Sequence, residues 1–414
     1  MADPAPPTSR SLMQERDYLR FWVSRFTGGM GTQMQSVVIG WQIYNLARRS
    51  MDVNHAAFLV GMVGLATFAP LFLLALPAGE TADRHDRKAI MIICLGVELA
   101  VAAGLALASQ LSLATTQLLL GAAAVFGAAR AYLSPANTAL GPMLVPRELL
   151  PRSIAWNSLA GQLSTVAGSL TGGVLVAVSP ALAYGVAAGL YAISSLAILL
   201  VGANVRPAPQ TASRLELIRQ GLVYVWRNRV VFGAVSLDLF AVLLGGATAL
   251  LPVFAMDVLH VGSTGFGVLR ASTTIGAAAM ALFLASHPIR RHAGVIMFLG
   301  VATFGAATVV FGLSRSLWLS VAALAVLGAA DMLSVFVRQT LVQLVTPDPM
   351  RGRVAAFSTL FISASNELGE FESGVVARFL GPIGSAIFGG VGALIVTGVW
   401  ARLFPALRTA DRLE

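Results

Sequence analysis

The feature that most constrains this chain is a succession of uninterrupted apolar runs, each about twenty residues long. A helix of that length crosses the roughly 30 Å hydrocarbon core of a bilayer, where only helices and closed barrels satisfy their own backbone polar groups. Twelve such runs lie near residues 21–46, 57–78, 89–109, 113–134, 153–178, 182–203, 231–255, 265–286, 293–313, 317–338, 354–378 and 382–404. Between the two sets of six, Asn204 to Arg229 contains Pro207 and Pro209, then an amphipathic stretch from Leu215 to Trp226. With 57% hydrophobic residues, 11% charged residues and a mean hydropathy of +0.78, a soluble globular protein is excluded. The sequence predicts an all-α membrane protein of two six-helix bundles. Its parts are a tail at 1–20, a bundle at 21–203, a linker at 204–229, a bundle at 230–404 and a tail at 405–414.

The 28 Lys and Arg residues test the orientation, because short cytoplasmic loops collect them. With both termini inside, most fall on the cytoplasmic side, against Arg48, Arg49, Arg315 and Arg378 outside. A net charge of +9 brings nucleic acid to mind. The cations are scattered over loops rather than gathered in a patch, so no nucleic-acid partner is expected. The first twenty residues lack the apolar core of a cleavable signal peptide, and Met1 to Gln14 is expected to be irregular. The single cysteine, Cys94, excludes an intrachain disulfide and most multi-cysteine metal sites.

One short stretch breaks the apolar pattern sharply: Gly79-Glu80-Thr81-Ala82-Asp83-Arg84-His85-Asp86-Arg87-Lys88. It is expected to lie in water between two spans, with a tight reversal at Gly79 and cations facing the cytoplasm. Its spacing resembles the loop 2-3 signature of the major facilitator superfamily, with Asp86 where that family usually has glycine. The resemblance implies that Gly79, Asp83, Arg84, Arg87 and Lys88 form a conformational latch.

The two halves also resemble each other at an offset of 201 residues: Gly127-Ala128-Ala129-Arg130 matches Gly328-Ala329-Ala330-Asp331, and Gly168, Gly173 and Val174 match Gly369, Gly374 and Val375. Such parallel repeats are a mark of transporters. In the fifth run, Ser164-x-x-x-Gly168-Ser169-x-x-Gly172-Gly173 resembles the superfamily's antiporter motif, with Ser169 in place of its proline. The three glycines allow close helix packing whatever else they do. Three further stretches resemble the enterobactin exporter and transmembrane secretion effector branch. They are Gly31-Thr32-Gln33-Met34-Gln35 through Tyr44, Ala129-Arg130-Ala131 through Glu148, and Ser365-Asn366-Glu367-Leu368-Gly369-Glu370-Phe371-Glu372-Ser373-Gly374. The resemblance covers nearly the whole chain and implies a bacterial inner-membrane, multi-pass carrier.

Ionisable residues in hydrocarbon cost about 2.5–3.5 kcal/mol each on insertion scales, so each needs a partner, a wet cavity or a function. Arg25, Glu98, Arg130, Asp238, Arg270, Asp331, Arg338, Glu367, Glu370 and Glu372 fall in this class. In the family's fold the first, fourth, seventh and tenth helices line the cavity, which would place Arg25, Arg130, Asp238 and Asp331 there. Glu367 and Glu370, three residues apart, share a helix face; with Asp331 and Asp238 they are the proton-coupling candidates, against structural ion pairing as the alternative. Asp331 and Arg338, two turns apart, are candidates for one charge network. Arg25, Gln33, Gln35, Arg130 and Arg338 are the cavity and substrate candidates. Trp41, Gln42 and Tyr44 are further substrate contacts or interfacial anchors. Glu98 has pairing with Arg130 as its structural option.

No P-loop, His-Glu-x-x-His or Cys-x-x-Cys motif is present, and Lys88 is the only lysine, so neither an enzyme, a resident metal nor a cofactor is expected. The expected partners are a small-molecule substrate, protons and the lipid bilayer, with the protein a monomer. The expected function is proton-coupled efflux of a small amphipathic molecule, siderophore or drug-like. The alternatives are a nutrient uptake carrier and a non-transporting membrane sensor or assembly partner.

Overall fold

The computed structural model describes residues 12–203, 214–287, 289 and 291–408, and no strand occurs among them. The first half comprises α1 (Arg16–Ala47), α2 (Val53–Arg84), α3 (Arg87–Gln110), α4 (Thr116–Leu140), α5 (Leu150–Val178) and α6 (Pro180–Leu199). After α7 (Arg214–Arg227), the second half runs through α8 (Arg229–Leu244), a short α9 (Leu251–Val253), α10 (Gly262–Ser286), α11 (Ala293–Leu313), α12 (Leu317–Val345), α13 (Asp348–Leu403) and α14 (Pro405–Arg408). Ten helical stretches are long and apolar enough to cross a bilayer. Twelve spans are reached by counting α1, more polar than those ten, and by dividing α13 at Gly381. There φ is 73°, a left-handed backbone that glycine adopts without a Cβ clash and that Pro382 fixes from behind.

Local chemistry sets the helix starts. Asp52 caps α2 by accepting from the His55 amide at 2.8 Å, Thr115 caps α4, Ser179 caps α6 and Asn228 caps α8 through the amides of Val230 and Val231. Each satisfies an amide that the first helical turn would leave without a partner. The amphipathic stretch at Leu215 to Trp226 forms α7, whose Tyr224 hydroxyl donates to the Val345 carbonyl at 3.0 Å. Pro207 and Pro209 lie outside the described residues, as do residues 1–11. Leu12–Gln14 form a 3-10 turn rather than the irregular tail expected there, and α1 begins at Arg16 rather than near residue 21.

The charged stretch corrects a second expectation. The chain does not reverse at Gly79: α2 continues through Glu80, Thr81, Ala82, Asp83 and Arg84, and the break comes at His85 and Asp86. An Arg84–Glu80 ion pair at 2.6 Å, one turn apart on the exposed face, supports the extra turn. Gly79 is buried inside the helix. Asp86 explains its own departure from the family's glycine, because it caps α3 by accepting from the Lys88 amide at 2.9 Å.

Small residues set the packing. A Cβ on Gly168 would lie 2.5 Å from the Met30 carbonyl oxygen, and one on Gly172 would lie 3.1 Å from Met34 Cα, so these glycines seat α5 against α1. The internal repeat recurs in three dimensions: Gly127 of α4 lies against the Thr67 carbonyl of α2, and its repeat mate Gly328 of α12 lies against the Thr273 carbonyl of α10.

The two halves meet through the same device. Gly61 of α2 packs on Gly374 of α13, and Gly173 of α5 packs on Gly267 of α10, backbone against backbone. Successive spans alternate in direction, so both crossings lie toward the face opposite the termini. There the C-terminal end of α1 also meets the second half: the Tyr44 hydroxyl donates to Asp257, Arg48 Nη2 donates to Asp257 Oδ1 at 2.9 Å, and Trp41 stacks on Phe266 at 4.9 Å. Asp257 sits in a π-helical turn, Phe254–Val258, a wide turn of the kind often found where a helix carries function.

Candidate substrate cavity

Between the halves lies a cavity of about 410 Å³. Thr32, Gln33, Arg130 and Ser169 line it from the first half; Arg270, Asp331, Glu367 and Glu370 line it from the second. Each pair of repeat mates, Arg130 with Asp331 and Ser169 with Glu370, reaches the same space. Toward the terminal face it adjoins a side pocket of about 290 Å³, with which it shares Thr32, Gln33, Arg130 and Thr165. Toward the opposite face it narrows to about 40 Å³ beside Phe266, Arg270 and Glu370. The space is therefore wide on the side of the termini and constricted where the glycine crossings and the Tyr44–Asp257–Arg48 cluster lie.

The central charges are linked across the halves. Arg130 Nη1 donates to Glu367 Oε1 at 3.0 Å, and its guanidinium lies 5.6 Å from the Phe126 ring centroid. Arg130 thus takes Glu367 as its hydrogen-bonded partner, not Glu98, for which pairing with Arg130 was the structural option. Glu98 is fully buried, and neither of its oxygens has a hydrogen-bond partner among the described residues. Glu370 stands within electrostatic reach of Glu367, Arg270 and Arg130. A lone carboxylate would be costly at this depth; here Asp331, Glu367 and Glu370 share the cavity lining with Arg130 and Arg270, so acids and cations offset one another.

A second charged group extends from the cavity wall at Asp331 into the second half. Arg338 of α12 binds Asp238 of α8 at 3.2 Å, with side chains only 3% and 7% exposed, and Asp331 is within electrostatic reach of both. The helical spacing of Asp331 and Arg338 does put them in one network, but Arg338 is engaged by Asp238 and is not part of the cavity lining. Neither is Asp238.

The remaining sequence candidates separate cleanly. Gln33 and Arg25 line cavity space. Gln35 does not: it is 0% exposed and packed within the first half. Trp41 and Tyr44 belong to the seal opposite the termini, and Gln42 donates to the Ser109 hydroxyl at 2.9 Å, so none of the three is placed as a substrate contact. Arg87 is buried and donates from Nε to the Ala82 carbonyl at 3.1 Å, while Lys88 donates to the Leu199 and Val201 carbonyls at the end of α6. The bonds named for Arg84, Arg87 and Lys88 stay within the first half. Asp257 was missed by sequence reasoning; its signal was an acid just past the end of the run at 231–255, on the same side as Arg48.

A model of the transmembrane secretion effector family matches residues 9–414. The chain belongs to that family. Among curated relatives of this secretion effector, the enterobactin exporter EntS of Citrobacter koseri is 27% identical over 353 residues, covering 83% of each chain. The same exporter of Shigella boydii serotype 4 is 27% identical over 351 residues, with the same coverage. Among solved structures, the POT family transporter PepTSo superposes with a TM-score of 0.73 at 13% identity, covering 96% of this chain and 99% of the other. A D-xylose-proton symporter gives 0.72 at 12% identity, with 96% and 99% coverage. An inward-facing bacterial homologue of the lysosomal transporter Spinster gives 0.68 at 15% identity and 97% coverage of each chain. At such identities the structures establish the fold, which is that of the major facilitator transporters.

Proposed function

We propose that this secretion effector is a secondary active exporter that moves a small amphipathic molecule, siderophore or drug-like, outward in exchange for protons. The observation that carries the reading is the convergence of Asp331, Glu367 and Glu370 with Arg130 and Arg270 on one cavity between the halves. The relatives named as exporters favour outward movement. In this reading the halves rock about the cavity, and Glu370 or Asp331 takes up a proton from one side and releases it to the other. The membrane potential supplies about 2.3 kcal/mol per charge per 100 mV for such a cycle. The protein works as a monomer in the bacterial inner membrane with both termini cytoplasmic, so the wide end of the cavity is the cytoplasmic one. When that end closes, Gly79, Asp83, Arg84, Arg87 and Lys88 come to the seam as its latch. Gly168, Gly172 and Gly173 keep α5 close enough to α1 and α10 for the movement.

The test uses inside-out vesicles and a pH-sensitive dye, with siderophores and lipophilic cations added in turn. Proton movement that depends on substrate and disappears in Glu370→Gln or in Asp331→Asn supports exchange and names the carrier. Absence of proton movement with every compound, from correctly folded protein, turns the reading toward uptake or a non-transporting role.

A further inference from the structure

The side pocket on the terminal side of the cavity differs from the central space in its charge. Arg25 and Arg130 line it, together with Thr32, Ser134 and Asn137, and no carboxylate does among the described residues. Arg130 is already engaged by Glu367. Arg25 is not engaged by any acid among the described residues. Its Nε donates to the Asn157 carbonyl of α5 at 3.2 Å, and neither Nη group has a hydrogen-bond partner among the described residues. Its electrostatic neighbour is the Tyr18 hydroxyl rather than a carboxylate, and that hydroxyl is itself committed to the Ser153 carbonyl and the Asn157 side chain.

An arginine held this way is unusual at membrane depth. The common fate of an intramembrane cation is an acid partner, and this protein supplies one to Arg130, to Arg338 and, within electrostatic reach, to Arg270. Arg25 instead has its Nε tied to the backbone, which fixes the plane of the guanidinium and leaves two parallel N–H donors directed elsewhere. That fork matches the two oxygens of a carboxylate, sulfonate or phosphate-type group. Asn137 Oδ1, buried without a hydrogen-bond partner among the described residues, is an acceptor in the same pocket and suits a donor on the ligand's body rather than its oxyanion.

We propose that the side pocket is an anion subsite, in which Arg25 receives an acidic oxyanion group of the transported molecule while its apolar body extends into the central cavity. The proposal rests on the cavity being the substrate site, and it narrows the substrate class to amphipathic molecules that bear an acidic group. Binding requires no proton gradient, so it is separable from the question of exchange.

The test is calorimetric titration of the purified protein, in a detergent without net charge, with 2-naphthoate and with 2-naphthamide, which share a ring system and differ in charge. The expected result is that the acid binds at least about tenfold more tightly than the amide. Arg25→Gln brings the two within about twofold of each other without weakening the amide, and Arg25→Lys, which keeps charge but loses the fork, retains part of the preference. Equal affinity for acid and amide in the unaltered protein, no measurable binding of the acid at millimolar concentration, or an undiminished preference in Arg25→Gln overturns the proposal. The amide affinity and the melting temperature of each variant separate a lost subsite from a misfolded protein. An intact anion preference in a protein that moves no protons leaves the subsite standing and removes only the exchange mechanism.

Discussion

Gly61 and Gly374 touch backbone to backbone across the two halves, so close that a Cβ on Gly61 would sit 2.6 Å from Gly374 Cα. With Gly173 on Gly267, this contact brings the two backbones together at the face opposite the termini, inside the rim formed by Tyr44, Arg48 and Asp257. A β-branched residue cannot be accommodated there by a rotamer change, because the obstacle is backbone.

Gly61→Val is therefore expected to hold that face apart. Spin labels at Ser50 and His260 should report a longer distance between the halves, and substrate movement should fall by at least about tenfold, as expected when one state loses more than about 1.4 kcal/mol. Gly40, where a Cβ meets nothing within 4 Å, provides the control: Gly40→Ala should leave both readouts unchanged.

Asp238 and Arg338 form the least exposed ion pair described. Removing one partner strands a buried charge, so Asp238→Asn is expected to lower stability by about 3 kcal/mol or more. Combining it with Arg338→Gln should recover a good part of that loss. Thermal unfolding of the single and double variants in detergent measures the coupling; simple addition of the two losses would show that the pair does not act as a unit.

The Tyr44–Asp257–Arg48 cluster holds the same face shut at its rim. Asp257→Asn removes the charge that Arg48 binds, and the expected outcome is a shift toward the state open on that side. Labelling of a cysteine placed at Trp41, in a background without Cys94, should become faster. Because Arg48 and Asp257 are partly exposed, salt screens their attraction in the parent, so the difference between variant and parent should be larger at low salt than at high salt.

Asp17 gives a pH signature outside the membrane. Burial works against its ionisation, but the Gly202 amide, Arg20 and the Ala203 amide outweigh it and hold its carboxyl below the ordinary carboxylate range. A depressed native value means stabilisation that is fully present above the unfolded value and lost as pH falls through the native one. Asp17→Asn should thus be less stable than the parent at neutral pH, with the difference vanishing on acidification below the usual Asp range. Melting temperatures measured from pH 7 downward decide it.

The spans were legible in the sequence because hydrocarbon permits few alternatives to long apolar helices. The glycine motif of α5 was legible as a packing seam, and the repeat matched Arg130 to Asp331; that these two, and likewise Ser169 and Glu370 at the same offset, line one cavity comes from the packing of the halves. Gly79 misled, since glycine in a charged stretch resembles a turn, while Glu80 and Arg84, one turn apart, favour continuing the helix. Arg130 could not be matched to Glu367 from 237 positions away, because that pairing depends on how the halves sit. Helical periodicity found the side of α12 that carries Asp331 and Arg338 but not Asp238, which approaches from another helix. Tyr44 and Trp41 had the composition of a substrate contact; only the packing of α1 against the π-helical turn and α10 showed them to be part of a seal.

The polarity of α1 has a consequence for how the protein is made. Alone among the long helices it falls short of the apolarity that the other spans possess, and it carries Arg25 with only a backbone carbonyl as partner. A nascent segment of this kind partitions poorly from the translocon into lipid by itself. Its place is secured afterward, when the glycines of α5 and the face of α6 close around it. The helix α1 is therefore committed to the bilayer later than the spans that follow it, and nascent chains arrested before α5 should release α1 to alkaline extraction while those that include α6 retain it.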